Sequence, residues 1–255
     1  MFADGTGWSI GLDGALLQRS EAGWRPAPAP TAGDLTGIWA SGPADVWVAG
    51  ATGLVRWDAK SWSAADSQRV NVVWGTAPDD VQAAGKNGLV RSFDGHRWTT
   101  IATDVNTPFL GIWTSPGQIF VVGGEYALGR PKQGLAMHRA RGRWTRLAVS
   151  RVLNGVWGSS PTDVWIVGDG GTLLHFDGRR WSPATCPSSA DLLSVGGRGR
   201  NDVWAGARDG TLLHFDGAHW STVESGTQNP LTAVQGGPFG VAAAGGNGTI
   251  LVRRH

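Results

Sequence analysis

Three histidines, His138, His175 and His214, occupy the same place in three successive stretches of this sequence, "LAMHRA", "TLLHFDG" and "TLLHFDG". Imidazole is a common zinc ligand, so a histidine recurring at one position raises metal chemistry. Carboxylates recur too. Asp45, Asp80, Asp163 and Asp202 each precede a valine-led apolar run, and Asp94, Asp177 and Asp216 each precede a glycine. Two convergent carboxylates are the equipment of a glycoside hydrolase. Tryptophan falls into three recurring sets, of which Trp39, Trp74, Trp113 and Trp157 form one. An exposed indole face can stack on the apolar face of a sugar ring.

Which of these chemistries is possible depends on the elements that carry the residues, and those elements repeat. "DVWVAGATGLVRWDAKSW" (Asp45 to Trp62), "DVQAAGKNGLVRSFDGHRW" (Asp80 to Trp98), "VWIVGDGGTLLHFDGRRW" (Val164 to Trp181) and "DVWAGARDGTLLHFDGAHW" (Asp202 to Trp220) are copies of one unit. A degenerate copy covers Ile119 to Trp144, and partial copies lie near each end. The last tryptophan of each unit falls at 24, 62, 98, 144, 181 and 220, in steps of 38, 36, 46, 37 and 39 residues. That period is the size of a four-stranded propeller blade.

Within a unit, four short apolar segments alternate with turn signals. We letter them a to d: a ends in "GIW" or its equivalent, b is "DVWVAG", c is "LLHF", and d begins at the last tryptophan. Asp13-Gly14, Asn87-Gly88, Asp209-Gly210 and Asn247-Gly248 predict type I′ hairpins between b and c, and Asp94-Gly95, Asp177-Gly178 and Asp216-Gly217 predict the same between c and d. Between a and b, Pro starts a turn and the following Asp is expected to accept bonds from turn amides. Seven b segments centre on Trp8, Trp47, Gln82, Phe120, Trp165, Trp204 and Ala242. The expectation is an all-β, seven-bladed β-propeller of four-stranded antiparallel blades with incomplete first and last blades. It forms a single domain over 1–255, with blades near 1–30, 31–68, 69–104, 105–149, 150–187, 188–226 and 227–255.

This geometry decides the chemistry. Strands lie about 4.8 Å apart, so strand c sits roughly 10 Å outside the innermost strand, and equivalent positions diverge between blades. Three strand-c histidines cannot converge on one ion with bonds of about 2 Å. No metal site and no cofactor are expected. Gln18 and Ser92 replace histidine in two other units, so the position calls for a polar partner. The repeated carboxylates have structural roles in turns. The chain has one tyrosine and lacks phosphate-loop, dinucleotide, zinc-protease and nucleophile-elbow motifs. An enzyme is not expected.

The unit resembles tectonin-type propeller repeats, most fully in "LLSVGGRGRNDVWAGARDGTLLHFDGAHW" (Leu192 to Trp220). It is also similar to the Trp- and Gly-rich surface repeats of some environmental bacteria. The resemblance covers nearly the whole chain. It implies a lectin-like module that binds glycan or lipopolysaccharide, extracellular or at a cell surface. The compartment is otherwise open. "MFADGTGW" does not read as a signal peptide, and no apolar run reaches the roughly 20 residues of a membrane span. A lone cysteine, Cys186, excludes an internal disulfide.

One copy breaks the pattern. The fourth b–c connection is expected to become a long loop, "GGEYALGRPKQG" (Gly123 to Gly134), on the face shared with the variable d–a connections. It carries Tyr126, Arg130 and Lys132, and Arg146 and Arg151 are placed in the next d–a segment. Seven of the chain's 22 basic residues lie between Tyr126 and Arg151 with no acidic one, which leaves 15 basic against 20 acidic residues elsewhere. Arg139, Arg141 and Arg143 point to the opposite rim. Variable loops on a rigid scaffold carry function. The sequence therefore points to a non-catalytic binding propeller. Tyr126, Arg130, Lys132, Arg146 and Arg151 are its ligand residues, and Trp39, Trp74, Trp113 and Trp157 are possible aromatic platforms. Its partner is a glycan or anionic surface polymer. The alternative is a protein-interaction scaffold belonging to a larger chain or assembly. Nucleic acid is not expected, because the remainder of the chain is acidic.

Overall fold

Strands a to d of each unit pair in order as an antiparallel meander, and seven such sheets follow one another along the chain, making a seven-bladed β-propeller. A computed structural model describes residues 5–126, 133–237 and 240–253. Apart from four single 3-10 turns, the described residues hold no helix. Five sheets have four strands. Among the described residues the first blade has b, c and d (Gly7–Ile10, Leu16–Ser20, Gly23–Pro26), and the last has a, b and c (Leu231–Gly237, Gly240–Gly245, Ile250–Arg253). The chain packs as two units, Met1–Ile119 with Ala140–Trp144, and Phe120–Arg139 with Thr145–His255.

In the first unit, strands a of blades two, three and four (Leu35–Gly42, Val70–Ala77 and Phe109–Ser115) lie side by side. Each blade then locks to the next through aromatic rings. Trp8 on strand b of blade one meets Trp57 and Trp62 of blade two at 5.9 and 5.7 Å, and Trp47 of blade two meets Phe93 and Trp98 of blade three at 5.1 and 5.5 Å. A buried ion pair adds to the second contact: Arg91 of blade three donates to Asp66 of blade two from Nε at 2.8 Å and Nη2 at 2.5 Å.

In the second unit, strands a of blades five, six and seven (Leu153–Ser160, Leu192–Gly199 and Leu231–Gly237) are neighbours, and the same lock recurs. Phe120 meets Phe176 and Trp181, and Trp165 meets Phe215 and Trp220 at 4.9 and 5.2 Å. The repeated tryptophans of strands b and d thus fill the interfaces between blades, and each large buried side chain contributes about 1.5–3 kcal/mol. Trp204 follows the rule with a substitution. Arg253 stands where the earlier blades place an aromatic, with its guanidinium 5.3 Å from the Trp204 ring.

The turns differ from expectation in three ways. First, strand a does not stop at "GIW". It runs three residues further to a two-residue Pro-containing turn, with a bulge on the way, as in the Gly42–Asp45 pairing of blade two. Second, the b–c pairs Asp13-Gly14, Asn87-Gly88 and Asn247-Gly248 take positive φ at both residues as expected, but at Asp209-Gly210 only Gly210 does. Asp209 instead accepts the Thr211 amide. Third, the c–d turns are four-residue loops, not type I′ hairpins. Phe93 pairs with Trp98, Asp94 Oδ1 accepts the amides of His96 and Arg97, and only Gly95 has positive φ. The carboxylate collects two amides from an ordinary backbone conformation, so the left-handed residue moves one place on. Asp177 and Asp216 behave alike.

Candidate functional site

Strand c polar side chains meet strand b carboxylates. His175 Nε2 donates to Asp163 Oδ1 at 2.7 Å, and His214 Nε2 to Asp202 Oδ1 at 2.9 Å. Each imidazole also lies against the strand b tryptophan, 4.4 Å from Trp165 and 4.1 Å from Trp204. In blade two Arg56 replaces histidine. It donates to Asp45 at 2.6 Å and stacks 4.7 Å from Trp47. In blade three Gln82 donates to Asp80 at 2.5 Å and lies within 3.4 Å of Ser92. These aspartates do not accept turn amides, which corrects the expectation. Their second oxygen takes the side chain four residues earlier: Ser41, Thr76, Ser159 or Arg198.

The group Ser159–Asp163–His175 contains the residue types of a hydrolase triad in the wrong order. The carboxylate lies between hydroxyl and imidazole, whereas base catalysis needs the imidazole between them. Burial raises the Asp163 pKa, but the bonds from His175 and Ser159 overcome it and hold the carboxyl below its ordinary range. Asp202 is held low in the same way, against burial, by Arg198, Trp204 and His214. Both oxygens of each carboxylate are engaged, tying strand c to the a–b turn. His138 has no strand b aspartate to meet, because its unit has Gln118 at that turn. It stacks on Phe120 at 4.0 Å, and burial lowers its pKa. Among the described residues, no three His, Cys, Asp or Glu side chains group as a metal site.

The b–c turns and d–a connections share a face, as expected. In the second unit Asp169 N–H donates to Val152 O, Gly171 N–H to Ala190 O and Arg208 N–H to Asp191 O, all at 2.8–2.9 Å. The fit is close enough that a Cβ on Gly171 (φ 71°) would lie 2.1 Å from Ser188 O. The c–d turns lie on the other face, beside the a–b turns: a Cβ at Gly178 would meet Thr162, and one at Gly217 would meet Asn201.

On the b–c/d–a face, Tyr126 reaches from blade four to blade five. Its hydroxyl donates to Asp169 Oδ1 at 3.0 Å and lies 3.3 Å from Asn154 Oδ1. Asn154 Nδ2 also donates to Asp169 Oδ1 at 3.1 Å and to Leu192 O at 2.9 Å. Asp169 is 1% exposed, while the Tyr126 side of this network is open, with the residue 53% exposed. Burial of the hydroxyl end, followed by the Asp169 carboxylate, pushes the Tyr126 pKa up to about 12. Beyond Asp169, Gly170 N–H donates to Asp191 Oδ1 at 2.9 Å, and Arg208 Nε meets Asp191 Oδ2 at 3.2 Å. The Arg151 guanidinium lies against Gly170 from the other side.

The sequence-derived candidates therefore divide. Tyr126 and Arg151 come together around one turn, Asp169–Gly171, with Asn154, Asp191 and Arg208, which the sequence reading did not single out. A signal for that turn was present: it reads Gly170-Gly171 where four other copies read Asp-Gly or Asn-Gly. Arg130 and Lys132 lie outside the described residues. Arg146 is exposed within strand d of blade four, Arg143–Val149, and not in the d–a connection. The reason is that part of the inserted segment is strand. Strands b and c of this blade run Gln118–Glu125 and Gln133–Ala140, eight residues each, so strand d has more to pair with. Of the strand a tryptophans, Trp113 is buried and Trp39, Trp74 and Trp157 are half-buried. Trp39 covers Gly75 of the next blade and Trp157 covers Gly197, each in space a Cβ would occupy.

This architecture places the chain among β-propellers of known structure. It is similar to YCF48 from Cyanidioschyzon merolae, with a TM-score of 0.74 at 16% identity, covering 100% of this chain and 93% of that one. It is similar to YCF48 bound to D1 peptide, with a TM-score of 0.73 at 16% identity over 98% and 88% of the two chains. It is also similar to the WD40 β-propeller domain of Doa1, with a TM-score of 0.71 at 11% identity over 86% and 78%. At such identities the likeness shows the fold alone. No family model matches the chain, and no curated protein matches it.

Proposed function

We propose that this chain is a non-catalytic binding propeller that recognises a polypeptide segment on the b–c/d–a face of its second unit. The observation that carries this reading is Tyr126: at the one place where the repeat is interrupted, an exposed aromatic is fixed by its hydroxyl to the neighbouring blade beside Arg151 and Arg208. Tyrosine and arginine on a rigid base are the side chains that dominate protein-binding hot spots. Asp163 and Asp202 are engaged with His175 and His214, Asp45 with Arg56 and Asp80 with Gln82, whereas Tyr126 presents an exposed ring. The structural neighbour bound to a peptide supports a peptide ligand by analogy of fold.

A glycan ligand is the second reading. The tectonin-like repeat pattern favours it, as does an exposed ring with polar groups around it. Two of its expected aromatic platforms, Trp39 and Trp157, spend part of their ring surface on the next blade.

Selection of displayed random peptides on the immobilised protein, beside a glycan array, tests the choice. Peptide binders that lose affinity on Tyr126→Ala are expected. Glycan binding in the absence of any Tyr126-dependent peptide would replace this reading with the lectin one.

A further inference from the structure

We infer that the Asp169–Gly171 turn, with Arg151 and Arg208 on its two sides, is a carboxylate-binding site for an acidic side chain of the recognised segment. The inference rests on the peptide-recognition reading and names the chemistry that the site selects. In other copies, the left-handed position of the turn holds Asp13, Asn87 or Asn247, with φ of 52°, 55° and 54°. Blade five has Gly170 there, at φ 61°. Backbone conformation does not require the change, since aspartate and asparagine adopt it elsewhere in this chain. Space does. A Cβ on Gly170 would lie 3.3 Å from Arg151 Nη1, 3.4 Å from Cζ and 3.7 Å from Nε, so the guanidinium lies across the turn where a side chain would stand. Arg151 is exposed and makes no ion pair among the described residues.

The opposite side of the turn carries Arg208, whose guanidinium contacts Asp191 through Nε. The Asp169 carboxylate is buried and takes bonds from Tyr126 and Asn154. Guanidinium groups bind carboxylates through paired, charge-assisted bonds. The site is also short. Among the described residues, Asp209 and Glu224 follow on the same face of blade six, which ends the cationic surface on that side. One acidic side chain on an extended peptide suits this arrangement better than a charged polysaccharide or nucleic acid.

The test uses the full chain and three probes: a fluorescein-labelled peptide of alternating Glu and Gly, its Gln counterpart, and a galacturonate oligosaccharide. Anisotropy is expected to show binding of the Glu peptide, with the Gln peptide weaker by about tenfold or more. Arg151→Met is expected to weaken the Glu peptide by about tenfold, with Arg151→Lys restoring only part. Gly170→Asn is expected to weaken it similarly at unchanged thermal stability, because Asn87 and Asn247 already occupy that conformation in the same fold. No binding of the Glu peptide, binding indifferent to Arg151→Met and Gly170→Asn, or preference for the galacturonate would each overturn the inference. Display-selected peptides that respond to Tyr126→Ala but not to Arg151→Met would overturn the carboxylate assignment and leave peptide recognition standing. Selected peptides indifferent to both would overturn both.

Discussion

His175 Nε2 lies 2.7 Å from Asp163 Oδ1, joining the third strand of blade five to the start of its second, and His214 repeats the contact with Asp202 at 2.9 Å. Because Asp163 and Asp202 are held below the ordinary aspartate pKa, they bind protons more weakly in the folded protein than in the unfolded chain. Their contribution is therefore present above about pH 4 and is lost as pH falls through their folded-state values. Urea unfolding followed from about pH 6 to about pH 2.5 is expected to show stability declining on the acid side. Asp163→Asn is expected to cost about 2 kcal/mol near neutrality and to make that acid decline shallower. An unchanged acid profile would show that this carboxylate is not what titrates.

Tyr126 gives a cleaner probe of the candidate site, because it is the chain's single tyrosine. Tyrosinate absorbance near 295 nm is expected to appear only as pH approaches about 12, well above the value for a free phenol. A raised acid stays protonated in the folded state, so its contribution is full below about pH 10 and is lost on the way to the folded value. Asp169→Asn is expected to bring the transition down toward 10, since the carboxylate helps to hold the proton. A transition near 10 in the unmutated protein would mean that the hydroxyl is not tied to Asp169.

The blade repeat was legible because its signals are local: tryptophan spacing, paired glycines and short apolar runs. So was the b–c/d–a face, which follows from strand order. The Asp–His contact was less legible, although Asp163 to His175 and Asp202 to His214 share one separation. The residues were recognised singly as a turn former and as a polar strand position, and only antiparallel register brings them together. The Asp-Gly pair alone suggests a two-residue c–d hairpin. The four residues between Phe176 and Trp181 already ruled out a two-residue hairpin. The Arg151–Gly170 contact was beyond pattern reading, because it depends on where a d–a connection passes over the turn of the following strands.

Ala59 tests the four-residue c–d turn. It occupies the position that Gly95, Gly178 and Gly217 hold in other blades, at φ 74°, beside an Asp58 that accepts the Lys60 and Ser61 amides in the same manner. A left-handed conformation costs a non-glycine residue about 1–2 kcal/mol, while glycine gives back part of that through its freer unfolded chain. Ala59→Gly is expected to stabilise the protein by about 0.5–1 kcal/mol. Gly178→Ala is expected to destabilise it by more, since the new methyl would also sit 2.7 Å from Thr162 Cγ2. Thermal melts of the two variants check both signs.

Asp66 and Arg91 pose the opposite question, whether a buried charge pair between blades two and three stabilises the fold or merely must not be broken. Their side chains are 6% and 15% exposed, and Arg91 also donates from Nη1 to Thr100 at 2.7 Å. Desolvating two charges offsets much of their attraction, so the pair's net contribution is small beside an apolar replacement. Removing one partner is different, because the buried Asp66 carboxylate then keeps only the Gln68 amide. Arg91→Met is expected to cost about 3–5 kcal/mol in urea unfolding. Adding Asp66→Leu to that variant is expected to recover most of the loss, because the aromatic lock of Trp47 with Phe93 and Trp98 still joins the two blades. If the double variant were as unstable as the single one, the ion pair and not the aromatic lock would be what holds this interface together.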